Sequence, residues 1–461
     1  MTEPIKADIC IIGAGSAGLS IAAGAAQLGA NTVLIEAGKM GGDCLNTGCV
    51  PSKSLLAAAK TAETIRKATH FGVDAGDPRV NFRRVHDYVH SVISGIAPHD
   101  SVERFTGLGC RVIQARARFI DDETVEAGSE RIRARRFVIA TGSRAAVPPI
   151  SGVDGVPFFT NESIFENTIL PEHLIIVGAG PIGCEMAQAH RRLGSRVSLL
   201  DIGPMMPKDD PEAVDVVRQR FRAEGIETAE TIKILRIEKS DAGVGVIIAE
   251  RERERRIEGS HLLIATGRRP NVEDLGLEAA GVRYSPKGIK VDARLRSSNK
   301  NIFAAGDVAG SYQFTHIAGY HAGIVIRNAL FRLPAKTSTK AVPWVTYTDP
   351  ELAHVGMSEA DARKAHGDGI RVVRAEFSDN DRAQAENVKQ GFLKGILSKR
   401  GTVLGATIVG AHAGELILPW GLAVSKDLKI GDLASLIAPY PTLSEITKRA
   451  AGSYYTPTLF S

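Results

Sequence analysis

Aromatic residues make up only 5% of the 461-residue chain, and there are five cysteines. So few cysteines over this length exclude a secreted disulfide scaffold, and Cys10, Cys110 and Cys184, which stand alone, read as small buried hydrophobes. An excess of charge of one sign is also missing. Lys and Arg number 57 against 52 Asp and Glu, a net charge of +5. Spread over the chain, that excess excludes a basic nucleic-acid footprint. The densest cluster, RERERR at 251–256, alternates in sign and reads as a solvated strand or hairpin. Long apolar runs are equally scarce. Residues 9–35 carry no formal charge, but Asp8 borders them and Gly13, Gly15, Gly18, Gly24 and Gly29 interrupt them. A buried strand, tight turn and buried helix fit that pattern better than a membrane span or signal peptide. The expectation is a cytoplasmic protein with neither nucleic acid nor membrane as partner.

What is present is glycine, 47 residues of it, in a chain that is 44% hydrophobic and 24% charged. That balance excludes a disordered chain, a coiled coil and a collagen-like repeat, and the length predicts two to four domains. Residues 8–36 (DICIIGAGSAGLSIAAGAAQLGANTVLIE) and 173–201 (HLIIVGAGPIGCEMAQAHRRLGSRVSLLD) are internal echoes. In each, an apolar run leads into GxGxxG and a helical stretch, and an acid closes a second apolar run. The first glycine and the acid are 36 − 13 = 23 and 201 − 178 = 23 residues apart. RFVIATGSRA (136–145) and HLLIATGRRP (261–270) form a second echo, so the chain reads as two similar nucleotide-binding units, the second inserted within the first.

In the first unit Gly13 permits the tight turn, Gly15 lets backbone approach a pyrophosphate, and Gly18 packs helix on strand. The helix N-terminus supplies N–H groups to the phosphates, and Glu36 accepts from ribose hydroxyls. Gly178, Gly180, Gly183 and Asp201 take the same parts in the second unit. Asp201 would accept from a ribose 2′-OH and repel a 2′-phosphate, and no Arg lies between Gly203 and Pro211 to bind one. NADH is therefore expected over NADPH. Beyond residue 340 the pattern changes to alternating strands and then helices, a separate α+β domain. The expected fold is α/β: two doubly wound dinucleotide-binding domains and a separate C-terminal α+β domain. The expected boundaries are 1–151 and 271–340 for the two parts of the first domain, 152–270 for the second and 341–461 for the last.

The segment GGDCLNTGCVPSKSL (41–55) carries the sharpest signal. Cys44 and Cys49 precede a predicted helix whose first turn suits Pro51 and Ser52. Cys49 then lies at the positive helix end, where a thiolate is stabilised, and Lys53 adds a cation one turn on. A zinc site would need a second ligand pair at metal spacing, and none is evident, so no metal ligands are predicted. An inert structural disulfide conflicts with a cytosolic chain. A redox-active dithiol is the reading taken.

With GGDCLNTGCVPSK, both dinucleotide motifs, both ATG segments, AAGDV and APYPTLSE on the page, the chain resembles the class I pyridine nucleotide–disulfide oxidoreductases. That family includes dihydrolipoamide dehydrogenase, glutathione reductase and mercuric reductase. The resemblance implies FAD in the first unit, NAD in the second, and a homodimer whose active site is shared across the interface. It implies that Asp307 binds the FAD ribitol and that Thr141, Gly142, Ser143 and the 313–316 segment with His316 lie near FAD. Gly42, Ala117 and Gly267 complete the expected cofactor contacts. Cys49 would be the thiol against the flavin, Cys44 the exposed thiol that exchanges with substrate, and Lys53 would pair with Glu185 near the flavin.

The chain departs from the disulfide-reducing members where they place a His before Pro-Thr, with a Glu following. Here the segment is Tyr440-Pro441-Thr442-Leu443-Ser444-Glu445. A Tyr titrating near 10 stays protonated at neutral pH and donates but does not accept readily. Tyr440 and QFTHIAG (313–319) are similar to mercuric reductase, although SYYTPTLFS (453–461) lacks that enzyme's vicinal cysteine pair. His316, His321, His354 and His412 read as interface or surface histidines. The expected activity is dihydrolipoamide dehydrogenase-like transfer between NADH and a disulfide, dithiol or thiol-reactive substrate. A mercuric-reductase-like metal-ion or quinone reductase using NAD(P)H is the alternative, and a catalytically silent NADH-binding subunit is a further rival.

Overall fold

A computed structural model describes residues 3–251, 253–310 and 312–456. Its first sheet sets parallel strands Cys110–Gln114, Thr32–Glu36, Ile5–Ile12 and Glu130–Ile139 side by side. Ile9, Cys10 and Ile11 are fully buried, since this strand is covered on both faces. That accounts for the uncharged run from residue 9. The start of Glu130–Ile139 carries the antiparallel strands Thr124–Ala127 and Ala117–Phe119. Its end pairs in parallel with Ile302–Ala304, supplied after the chain has left this sheet and returned. Helix Ser16–Gln27 is built of small residues and packs tightly on helix Thr315–Ala329. A Cβ on Gly24 would lie 2.5 Å from Ile326 Cδ1.

The intervening residues build a second parallel sheet in the order Glu227–Ala229, Arg196–Leu200, His173–Val177, His261–Ile264. Beside it lies an antiparallel sheet of Lys233–Ser240, Gly243–Glu250 and Arg253–Gly259. The last of these contains most of the charge-alternating segment, and residues 253–256 are exposed as the alternation predicts. The C-terminal sheet is antiparallel, in the order Pro343–Thr346, Glu351–Gly356, Val403–Gly410, Phe392–Ser398, Ile370–Glu376. Its core is closed by Trp420, fully buried on helix Leu418–Ser425, and by Ile446 on helix Glu445–Gly452. The chain is thus a mixed α/β protein, as expected. Cys10, Cys110 and Cys184 are buried. His321 and His354 are also buried, which corrects the surface expectation. Each has its burial offset by a hydrogen bond, His321 Nδ1 with Gly306 N at 3.2 Å and His354 Nδ1 with Thr407 Oγ1 at 2.9 Å. Among the described residues no helix is long and apolar enough to cross a membrane.

Candidate functional site

The two glycine motifs are superimposable in their close contacts. At Gly13 φ is +106°, and a Cβ there would meet Ala140 O at 2.4 Å; at Gly178 φ is +112°, and a Cβ would meet Ala265 O at 2.4 Å. A Cβ on Gly18 or Gly183 would lie 1.8 Å from the carbonyl of Gly13 or Gly178. No side chain fits these positions, so the helices Ser16–Gln27 and Pro181–Leu193 start hard against their strands with free N–H groups at their tips. The terminal acids do equivalent work. Glu36 Oε2 accepts from Ala14 N at 2.5 Å and Asp201 Oδ2 from Ala179 N at 2.5 Å. Their other oxygens accept from Gly38 N at 2.7 Å and Gly203 N at 2.8 Å. Each carboxylate therefore stands beside its glycine loop, where a nucleotide ribose lies in this class of fold.

The two ATG segments, echoes in the sequence, are partners in space. Strand Ser143–Ala145 pairs with Arg268–Pro270. Thr141 Oγ1 donates to Asn271 O at 2.7 Å. Gly142 and Gly267, both at positive φ, have open space where a side chain would stand. Ser143 Oγ donates to Asp307 Oδ2 at 2.5 Å and accepts from Arg268 Nε at 2.8 Å. Burial pushes the Asp307 carboxyl up, with the Ser143 bond and Arg268 pulling the other way. Arg268 also reaches Asp43 Oδ2 at 3.2 Å. This Arg268–Ser143–Asp307 chain escaped the sequence reading, since Arg268 lies 125 residues from Ser143. Ala117 is buried in the strand Ala117–Phe119 of the first sheet.

Cys44 sits in the short helix Gly42–Asn46, and Cys49 is the first residue of helix Cys49–Lys67. Both are free thiols. The Cys44 thiol donates to the Cys49 sulfur, and this bond does most to bring the Cys49 thiol down from 9.0 to about 6. Burial opposes the shift, while Thr315 and the Lys53 charge assist it. Cys44 is driven far up, first by the same bond and then by burial. Cys49 Sγ lies 3.3 Å from Thr315 Oγ1, at the start of helix Thr315–Ala329. Cys44 is half-buried beside Ser16, Thr315 and Cys49, and Cys49 stands at the tip of its helix.

Lys53 lies one turn into that helix, and its Nζ is 2.8 Å from Glu185 Oε2. Glu185 is buried on helix Pro181–Leu193, and its Oε1 accepts from Tyr347 N at 3.0 Å. The Lys53 ammonium also stands 4.3 Å from the Tyr347 ring centre, a contact no local pattern signals. His316 Nε2 lies 2.9 Å from the Pro343 carbonyl, and its ring stacks on Phe314. Tyr440 is 70% exposed on the C-terminal domain and donates to Asp381 Oδ2 at 3.0 Å, which raises its phenol. Glu445, half-buried, opens helix Glu445–Gly452. Cys44, Cys49, Lys53 and Glu185 therefore converge within one chain, and Tyr440 faces solvent.

Open loops at two helix tips, an acid beside each, and the half-buried Asp307 carboxylate near the first loop fit two dinucleotides. The Gly42 backbone closes on Gly15, where a Cβ would come within 2.7 Å of Gly15 Cα, and this leaves main chain alone to line the cradle.

Residues 7–322 match the pyridine nucleotide-disulphide oxidoreductase family and 342–451 its dimerisation domain. The chain is 33% identical to a mercuric reductase of Staphylococcus aureus over 447 residues, covering 96% of this chain and 82% of that one. It is 32% identical to a dihydrolipoyl dehydrogenase of Geobacillus stearothermophilus over 463 residues, covering 97% and 96%. Among solved structures, LpdA of Mycobacterium tuberculosis aligns with TM-score 0.88 at 27% identity, over 98% of this chain and 99% of that one. The Cu(II) complex of the HOCl-induced flavoprotein disulfide reductase RclA of Escherichia coli aligns at 0.87 and 28%, over 97% and 99%. The chain belongs to the pyridine nucleotide-disulphide oxidoreductases, as a flavoprotein enzyme that uses FAD and NAD(P)H and carries the family's dimerisation domain.

Proposed function

We propose that this enzyme passes electrons from NADH to a disulfide or other thiol-reactive acceptor through the Cys44–Cys49 pair. The observation that carries this reading is a Cys49 thiol held at about 6 by the proton of Cys44, with the Lys53–Glu185 pair one turn away. FAD, when bound, supplies two-electron chemistry between nicotinamide and sulfur. Gly13, Gly15, Gly18, Glu36, Gly42, Thr141–Ser143 and Asp307 are the residues suited to hold it. Gly178, Gly180, Gly183 and Asp201 are suited to hold NADH, with the Asp201 charge disfavouring a 2′-phosphate.

Two electrons break the Cys44–Cys49 bond, Cys49 keeps its negative charge, and Cys44 takes up a proton. Cys44 must then lose that proton to attack an acceptor. Lys53, fixed by Glu185, sets a positive charge beside the Cys49 thiolate. In an active site shared across the dimer, Tyr440 can donate a proton but not remove one at neutral pH. Such a chain suits acceptors that need no strong base, and Cys10, Cys110 and Cys184, buried and unpaired, fit a cytoplasmic setting. The divisions near 151, 270 and 341 are proposed as its domain boundaries.

The test is NADH consumption by the FAD-loaded protein with lipoamide, glutathione disulfide, Hg(II) or a quinone, in the parent and in Cys44→Ser. Turnover with a disulfide or Hg(II) that Cys44→Ser abolishes supports the reading; full activity in Cys44→Ser overturns it. A second reading, a metal-ion or quinone reductase without disulfide exchange, is favoured by the lack of a base at Tyr440 and predicts that such activity survives Cys44→Ser.

A further inference from the structure

We propose that His86, His90 and Glu166 form a second, surface site that takes a divalent transition-metal ion, with zinc as its probe. His86 and His90 are four residues apart on helix Phe82–Ile96, so they share one face. Their ring centres are 4.2 Å apart. Glu166 arrives from the turn Ile164–Glu166, and its Oε2 lies 3.7 Å from His90 Nε2. One potential ligand atom from each of the three residues falls within 4.8 Å of the other two. An ion held tetrahedrally at about 2.0–2.2 Å from nitrogen and oxygen spaces its ligand atoms about 3.4 Å apart, so small side-chain rotations close the site.

The surroundings favour a metal over a chance cluster. His86 Nδ1 is 3.0 Å from Asp87 Oδ1, and since the carboxylate only accepts, a neutral ring carries its proton on Nδ1 and its lone pair on Nε2. A carboxylate behind a histidine in this way is the usual support of a metal-ligating imidazole. His90 Nε2 is 3.1 Å from the Phe165 carbonyl, and when the ion binds there the ring proton moves to Nδ1, leaving the Nε2 lone pair for the metal. Two imidazoles and a carboxylate suit Zn(II), Ni(II) or Cu(II) rather than Mg(II) or Ca(II). The ion would tie Phe82–Ile96, which packs beside the helix that begins at Cys49, to the segment leading into the second glycine motif.

Zinc binding is measured on the untagged FAD-loaded protein carrying Cys44→Ser and Cys49→Ser, so that the redox thiols cannot compete. One zinc per chain is expected. His86→Ala with His90→Ala should weaken binding at least about 100-fold, and Glu166→Gln, at an exposed position, about 10-fold. No zinc retained by the parent at 100 micromolar (about 10⁻⁴ M, a weak-binding limit) overturns the proposal. So does unchanged binding in the Glu166→Gln and paired His variants with FAD content intact.

Discussion

Glu185 and Lys53 are 132 residues apart in the chain and 2.8 Å apart in the fold, and Glu185 is anchored twice because its second oxygen accepts from Tyr347 N. The glutamate is nearly buried, whereas 39% of the Lys53 side chain is open to water. Glu185→Ala leaves Tyr347 N and the ammonium without their acceptor. It should cost about 2 kcal/mol, below the range for a fully buried pair because water screens Lys53. Glu185→Gln keeps an acceptor for Tyr347 N and should cost less than half as much. Urea midpoints with matched FAD content decide, and equal losses would refute the ranking.

The Cys44–Cys49 couple should show a break in its pH dependence. Below the Cys49 value of about 6, reduction takes up two electrons and two protons; above it, one proton. The midpoint potential should fall by about 59 mV per pH unit below the break and about 30 mV above it. Because folding lowers this thiol from 9.0, its contribution to the stability of the reduced protein is full above about 9 and is lost as pH falls through 6. Thiol trapping in redox buffers from pH 5 to 8 measures the slope. A single 59 mV line (two protons per two electrons throughout) would mean Cys49 is an ordinary thiol.

Two glycines of the second motif should respond differently to the same change. A Cβ on Gly183 would sit 1.8 Å from the Gly178 carbonyl, while one on Gly180 meets nothing within 4 Å. Gly183→Ala should therefore fail to fold or lose several kcal/mol, on the order of an overpacked core substitution or more. Gly180→Ala should keep its melting temperature and FAD content but raise KM for NADH at least about tenfold, by blocking close approach to the pyrophosphate. Steady-state kinetics with NADH and thermal melts separate the two, and an unchanged KM in Gly180→Ala would place the dinucleotide elsewhere.

Tyr440 donates its proton to Asp381, and the carboxylate raises the phenol further above neutrality. Tyr440→His places a group titrating near 6.5 there and should speed NAD-linked oxidation of dihydrolipoamide by about 10²-fold. Tyr440→Phe should leave that reaction at the parent's rate. Folded protein showing no gain with His would assign the slow step to another group.

The repeated elements were legible in the sequence because they are local. Apolar runs, glycines and acids at a spacing of 23 encode strand, turn and helix without reference to the rest of the chain. Cys49 at its helix start was legible for the same reason. The network around the sulfurs was not. Thr315 reaches Cys49 from 266 residues away and Arg268 reaches Ser143 from 125, distances at which residue spacing carries no information. Nor was the contact of Ser16 and Thr315 with Cys44, which arises only after three elements meet. His86 and His90 show their helical spacing in the sequence, yet only the fold brings Glu166 to them.

The return of Ile302–Ala304 to the first sheet sets an order of assembly on the ribosome. That strand pairs with Phe137–Ile139, and the two lie 302 − 139 = 163 positions apart. At about 5–20 residues per second, the end of Glu130–Ile139 waits about ten to thirty seconds for its neighbour. The second parallel sheet is complete with Ile264 and so can close first. The nascent first sheet meanwhile exposes an apolar parallel edge open to misplaced pairing. An enzyme whose redox pair lies near its start thus cannot finish the sheet behind that pair until the nicotinamide-binding segment has been made.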